Sequence, residues 1–171
     1  MNRANKIRLM LGLFLMFCPA AIFGQTTQTS VPAAPVLSIS GEVARPLKLT
    51  AADLAKLPRQ TVSAQDHGKP ATFEGVALVE VLRLAGVEFG EKLRGKNLAL
   101  FLVVDAADGY RAVFALPELD PAFTDRSILL VDRRDGKVLS EAEGQWRIVV
   151  PNEKRPGRWV RQVVALTIRR A

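Results

Sequence analysis

A few side chains in this 171-residue chain have the type and position that ligand binding or proton transfer requires. His67, the only histidine, follows Asp66 in the turn sequence DHGKP. Its imidazole could ligate a metal or relay a proton, or it could be a solvated turn residue, because Asp, Gly and Pro favour turns. Tyr110, the only tyrosine, follows the turn residues Asp108 and Gly109. It could line a cleft at the strand ends or lie at a rim with its hydroxyl in water.

Basic residues in and after a loop rich in Pro and Gly form a second candidate site. They are Lys154, Arg155, Arg158 and Arg161. A guanidinium group binds phosphate through two parallel hydrogen bonds, so Arg155 and Arg158 could clamp an anion, with Arg147 joining if the loop folds back. The alternative is a solvated rim. Arg133 and Arg134, flanked by aspartates, predict an exposed hairpin tip.

Charge and cysteine content exclude several functional classes. Of the formal charge of +7, three positive charges lie in the first eight residues, which leaves +4 for the rest. This excess favours anionic ligands but lacks the clustered basicity that nucleic-acid binding needs. Cys18 is the only cysteine, so the residues after it can form no disulfide and offer no thiolate. We therefore predict no metal ligands. No catalytic triad or nucleotide-binding glycine pattern occurs.

The first 24 residues are typical of an export signal, with a basic start, a short apolar core and a small-residue exit. No adjacent arginine pair occurs in them, which indicates a general export signal and a periplasmic or secreted protein. An uncleaved leader would instead hold the domain at the membrane. Residues 25–36, rich in Thr, Ser, Pro and Ala, predict a flexible linker. Residues 37–171 are enough for one domain.

Short strands dominate the predicted domain. Alternating apolar and polar residues predict strands on both sides of the DHGKP turn, and two further turns, AADG and DG, join later strands. Thr50 and Asp53 predict the N-terminal cap of a short helix. Apolar residues from Leu78 to Ala85 have helical spacing, with Gly86 as a C-terminal cap. The fold class is therefore α+β, mostly β.

Five motifs follow one another along the chain. They are LT-x-x-D-L at 49–54, F-x-G-V-x-L at 73–78, D-G-Y at 108–110, G-x-x-L at 136–139 and R-x-V-V-P at 147–151. In this order they resemble the molybdopterin-binding oxidoreductase domain shared with sulfite oxidases, over about residues 37–168. The resemblance implies a sulfite oxidase-type fold with mixed sheets and short helices.

The resemblance also implies a cofactor site. In the family, the loop after R-x-V-V-P helps to hold the pterin phosphate, which makes Arg147, Arg155 and Arg158 the implied contacts for molybdopterin or another anionic small molecule. His67 and Tyr110 would then lie near the metal position as candidate catalytic residues.

One family residue is missing. Catalytic members place a metal-ligating cysteine just after the strand that here is TVSAQ, and this chain has Gln65, Asp66 and His67 there. One imidazole does not replace a soft thiolate at such a metal.

Two functional hypotheses therefore stand. The first is an exported member of the family that keeps a pocket for a pterin or another anion. The second is a cofactor-free binding or accessory module, with a protein partner in the exported compartment, that kept the fold and lost the redox chemistry.

Overall fold

The computed structural model describes residues 35–171, which form ten strands and two short α-helices. The predicted signal peptide, 1–24, and all but the last two residues of the predicted linker, 25–36, lie outside the described residues. The elements in chain order are β1 Leu37–Gly41, β2 Leu47–Leu49, α1 Ala51–Leu54, β3 Arg59–Asp66, β4 Lys69–Ala77, α2 Leu78–Leu84, β5 Leu100–Ala106, β6 Arg111–Ala115, β7 Leu129–Arg134, β8 Lys137–Val138, β9 Arg147–Val149 and β10 Val163–Arg170.

The first sheet is mixed and has the strand order β2-β1-β10-β5-β6. β1 and β10 run parallel, with Ser38 opposite Ala165, and the other neighbours are antiparallel. Alternate residues of these strands, such as Leu37, Ile39 and Leu166, are fully buried. This alternation is the period-two pattern from which the strands were predicted.

The second sheet has the order β3-β4-β7-β8, and β9 also pairs with β7; all of these pairs are antiparallel. A two-residue turn joins β3 to β4, with φ of 50° at His67 and 78° at Gly68. Asp135 and Gly136, with φ of 51° and 74°, join β7 to β8 in the same way. Positive φ at both central residues matches the right-handed twist of the flanking strands.

The capping box predicted at α1 is confirmed. The hydroxyl of Thr50 donates to Oδ2 of Asp53 at 2.8 Å and accepts the Asp53 N–H at 3.4 Å. The backbone and hydroxyl of Thr50, and then Lys56, lower the pKa of Asp53 to about 2. The cap therefore fixes the start of α1 through residues that are close in sequence.

Buried residues of both sheets and of α2 form one hydrophobic core, and the predicted fold class, α+β and mostly β, is confirmed. At Gly75, β4 and β7 approach so closely that a Cβ atom would lie 2.2 Å from the carbonyl oxygen of Leu130. Within residues 35–171, no helix has the length and apolar character needed to cross a membrane.

Candidate ligand-binding site

A buried carboxylate lies at the end of β3, at the position where the sequence resemblance led us to look for a metal ligand. Asp66 is only 5% exposed. Arg147 donates to both of its oxygens, from Nη1 to Oδ2 and from Nη2 to Oδ1, each at 3.0 Å. Arg134 adds a third bond, from Nη1 to Oδ2 at 2.9 Å. Two guanidinium groups therefore hold one buried carboxylate.

Glu143 supplies the second carboxylate of this buried cluster. Its Oε1 accepts from Nη1 of Arg147 at 2.8 Å, and its Oε2 accepts from the hydroxyl of Ser140 at 2.8 Å. Arg134 also lies 3.5 Å from Oε1. We call Asp66, Arg134, Glu143 and Arg147 the ion cluster. Its two positive and two negative charges balance, which is the condition under which charges are tolerated in a protein interior.

The ion cluster changes the acidity of both carboxyl groups. Burial alone would raise the pKa of Asp66, but the hydrogen bond and charge of Arg147, with the charge of Arg134, lower it overall. Burial alone would also raise the pKa of Glu143, but the hydrogen bonds from Ser140 and Arg147 lower it overall. Both groups therefore stay ionised at neutral pH.

Two aromatic rings enclose the guanidinium group of Arg147. Its carbon Cζ lies 5.5 Å from the ring centre of Phe73 and 5.4 Å from that of Trp159. The two rings meet edge to face at 5.7 Å. Cation–π attraction favours this arrangement. Arg147 is buried, and among the described residues its Nε has no hydrogen-bond partner.

A cavity of about 190 Å³ opens beside the ion cluster. It is lined by His67, Asp108, Tyr110, Arg147, Pro156, Gly157, Trp159, Val160 and Arg161. We call it the Tyr110 cavity. Three of the five residues proposed from the sequence as site residues, His67, Tyr110 and Arg147, therefore share one cavity.

His67 and Tyr110 contribute to the Tyr110 cavity in different ways. The side chain of His67 is 78% exposed, and its Nε2 lies 3.8 Å from Oδ1 of Asp66, beyond hydrogen-bond distance. Its place is set by the turn between β3 and β4. Tyr110 is half exposed, and its hydroxyl donates to the carbonyl oxygen of Gly157 at 2.5 Å. This bond ties the β5–β6 turn to the loop that carries the basic residues.

The structure gives Arg155 and Arg158 separate environments. Arg158 donates to Glu153 and Glu118, at 2.6 to 2.8 Å, and its Cζ lies 4.7 Å from the ring centre of Phe114. Burial would lower the pKa of Arg158, but these two carboxylates raise it overall. Arg155 is exposed and has no ion pair with any residue in 35–171. Arg158 thus anchors the loop internally.

The sequence prediction of an exposed tip at Arg133 and Arg134 is wrong for Arg134. Alternation along β7 turns its side chain toward Phe73, whose ring centre lies 5.5 Å from its Cζ. There it binds Asp66 and Glu143, while Arg133 is exposed. The sequence analysis missed Glu143 entirely. The S-x-x-E spacing of Ser140 and Glu143, a local capping pattern, was the available signal.

Trp159 also borders a second cavity, of about 420 Å³, whose other lining residues are Ser63, Ala64, Gln65, Pro70, Asn152, Glu153 and Lys154. We call it the Glu153 cavity. Exposed basic side chains lie in the segments that form the two cavities, and within the described part of the chain none of them has an ion pair. They are Lys69, Lys154, Arg155 and Arg161. Residues 35–171 contain no group of three His, Cys, Asp or Glu side chains suited to a metal ion.

Comparison with known proteins bears on the fold. No family model matches the chain, and no curated protein matches it either. Among solved structures, it is similar to the sulfane dehydrogenase SoxCD from Paracoccus pantotrophus, with a TM-score of 0.63 and 24% sequence identity. The similarity covers 78% of this chain and 38% of the SoxCD chain, so this chain spans less than half the length of that one. The comparison supports the fold implied by the sequence motifs.

Proposed function

We propose that this protein is an exported, cofactor-free binding module that keeps the fold of molybdopterin-binding oxidoreductases and binds a small anion in the Tyr110 cavity. The similarity to SoxCD supports the fold. The leader sequence supports export. The observation that carries the proposal is the ion cluster, because a carboxylate that two arginines already bind lies where the sequence resemblance implies the family's metal-binding cysteine.

The residues around Asp66 do not fit a molybdenum cofactor. No cysteine occurs in residues 35–171, and the exposed imidazole of His67 is a poor substitute for a thiolate. Of the three implied pterin contacts, Arg147 and Arg158 each bind two carboxylates of this chain. A pterin phosphate would have to displace Asp66 or Glu143 from Arg147 and leave a buried carboxylate without its partner, which is costly. We therefore derive no redox step for this protein.

The charge around the Tyr110 cavity favours an anion. The ion cluster is balanced, so the charged groups left at the cavity are Arg161, Asp108 and, when protonated, His67. Asp108 is turned toward its own backbone and accepts the N–H of Tyr110 at 2.9 Å. Lys154 and Arg155, which precede the lining residue Pro156 in sequence, add positive charge to this loop. A planar guanidinium group such as that of Arg161 suits phosphate or sulfate.

The absence of redox chemistry can be tested on protein purified from the exported fraction of its own host. Molybdenum is measured by elemental analysis, and pterin by the fluorescence of its oxidised product after acid release. We expect neither. Stoichiometric molybdenum or pterin would overturn the cofactor-free function.

Anion binding can be tested by calorimetric titration with inorganic phosphate and, separately, with sulfate. The Arg161→Gln variant should bind about ten- to a hundredfold more weakly, since a hydrogen bond to a charged group contributes about 1.5–3 kcal/mol. Arg169→Gln is the matched control, because Arg169 is an exposed arginine on β10 that does not line the Tyr110 cavity. Equal dissociation constants for the two variants, or no binding by the wild type, would rule out this site.

A further inference from the structure

β3 is an edge strand whose outer side is open. At eight residues it is longer than β2, β6, β8 or β9, the other strands that lie at sheet edges. Among residues 35–171 it pairs only with β4. An edge of this kind presents a row of unpaired backbone groups that can template another strand.

The turn between β3 and β4 determines which backbone groups face outward. In a two-residue hairpin, the flanking pair, here Asp66 and Lys69, exchanges hydrogen bonds, and alternate residues along the strand do the same. The remaining residues direct their N–H and C=O groups away from β4. They are Arg59, Thr61, Ser63 and Gln65, and all four are exposed. No other described residue forms a backbone hydrogen bond with them.

β3 also lacks the features that commonly protect sheet edges. Its sequence, RQTVSAQD, contains no proline and no lysine, and its pairing with β4 has no bulge. Charges occur only at its two ends, and both are engaged elsewhere: Arg59 with Asp132, and Asp66 with the ion cluster. The middle of the edge is therefore neutral.

Cavities flank both ends of this edge. Gln60 lines a cavity of about 350 Å³ near the start of β3, and Ala64 lines the Glu153 cavity near its end. Gln60, Val62 and Ala64 alternate with the four outward residues and lie on the opposite face of the strand. Ser63 and Gln65 also line the Glu153 cavity, so space is open beside the edge, where the side chains of an added strand would lie.

We propose that the edge is occupied by β3 of a second copy of this chain, in antiparallel pairing about a twofold axis through Val62. This register sets Arg59 opposite Gln65 of the second copy and Thr61 opposite Ser63. It uses all four outward residues of both strands, in about eight hydrogen bonds. No two like charges face each other, and the two Val62 side chains form an apolar pair at the axis. The interface is isologous, as in most homodimers.

The same register accounts for an unused acceptor. Gln60 of the second copy comes opposite Ala64, at the Glu153 cavity, where Oε2 of Glu153 is buried without a hydrogen-bond partner among the described residues. The Oε1 of Gln60 accepts from the hydroxyl of Ser127 at 2.8 Å, which leaves its amide N–H groups free to donate. A second copy thus brings donors toward an acceptor that the single copy leaves unsatisfied.

Sedimentation equilibrium of the chain purified from its host tests the proposal. The wild type should sediment at twice the mass of one chain. In the double variant Thr61→Lys, Ser63→Lys, lysines come opposite lysines, and we expect at least a tenfold weaker dimer. Mixing it with the variant Thr61→Glu, Ser63→Glu should restore dimers, because lysines then face glutamates.

Val113→Lys is the control, because it places a lysine on the other sheet's exposed edge strand, β6, and should leave the dimer unchanged. Thermal melts monitored by circular dichroism establish that each variant folds. A wild type of single-chain mass at all concentrations would overturn the proposal, as would a lysine variant that dimerises like the wild type. Slow hydrogen exchange at Thr61 and Ser63 in a monomer would show that another segment covers the edge, and would also overturn it. This proposal does not rest on the proposed function.

Discussion

Replacing Asp66 by Asn probes the ion cluster most directly. The side chain keeps its size, but an NH₂ group replaces one of the oxygens that accept from Arg147 and Arg134. The new NH₂ group, a donor, then faces the N–H donors of the guanidinium groups. The buried Arg147 keeps only Glu143 as a counter-charge. Breaking a buried ion pair by removing one partner costs about 3–5 kcal/mol. We expect Asp66→Asn to lower the free energy of unfolding by about that amount.

Asp132→Asn is the matched control. Asp132 also binds an arginine through both of its oxygens, since Arg59 donates to Oδ2 at 3.0 Å and to Oδ1 at 2.5 Å. Both of these side chains are about a third exposed, so solvent screens the pair. Exposed pairs contribute about 0–1 kcal/mol. The two Asp→Asn variants therefore differ chiefly in burial.

Urea unfolding at neutral pH gives both free energies. Equal losses in the two variants, each under about 1 kcal/mol, would refute the inference that the ion cluster stabilises the fold. Acid provides a second readout. The pKa values of Asp66 and Glu143 are lowered in the folded state, so their contribution is complete above the unfolded pKa values of about 4 and is lost as the pH falls toward the folded values. The gap between the wild type and Asp66→Asn should narrow over that range.

Further substitutions test other parts of the fold. Thr50→Ala removes a helix cap and should cost about 1 kcal/mol in thermal or urea unfolding, whereas Thr50→Ser should retain most of it. Gly75→Ala pushes a Cβ to within 2.2 Å of the carbonyl oxygen of Leu130 and should cost about 1–3 kcal/mol, whereas Gly157→Ala, with nothing within 4 Å, should not. Tyr110→Phe removes the bond to Gly157, so amide exchange at Gly157 and Arg158 should become faster, and an unchanged rate would contradict a tethering role.

Features set by neighbouring residues could be predicted from the sequence. The cap at Thr50 and Asp53 and the turn at Asp135 and Gly136 depend on side chains or backbone preferences within four residues. The positive φ of His67 has the same origin, since a two-residue hairpin requires it whether or not the imidazole has a function. Caps and turns of this kind can therefore be predicted from the sequence, and with them the helices and hairpins that they begin or join.

Partners that are distant in sequence could not be predicted. Asp66 and Arg147 are 81 residues apart, and Arg158 and Glu118 are 40 apart. A charged residue carries no sign of which opposite charge it will meet, because that depends on sheet register. Arg134 illustrates this: beside Arg133 it resembles a solvated residue, and only the pleat of β7 turns it toward Phe73 and Asp66.

The place of β10 in the first sheet bears on when this protein can fold. β10 lies between β1 and β5, so β1 and β2 have no link to the rest of their sheet until residues 163–170 have been synthesised. Closing the 126-residue separation between Ser38 and Val164 also costs loop entropy before any pairing offsets it. Folding of this sheet therefore follows, and cannot accompany, the synthesis of most of the chain, and the sides of β1 and β5 that face β10 stay unpaired until then.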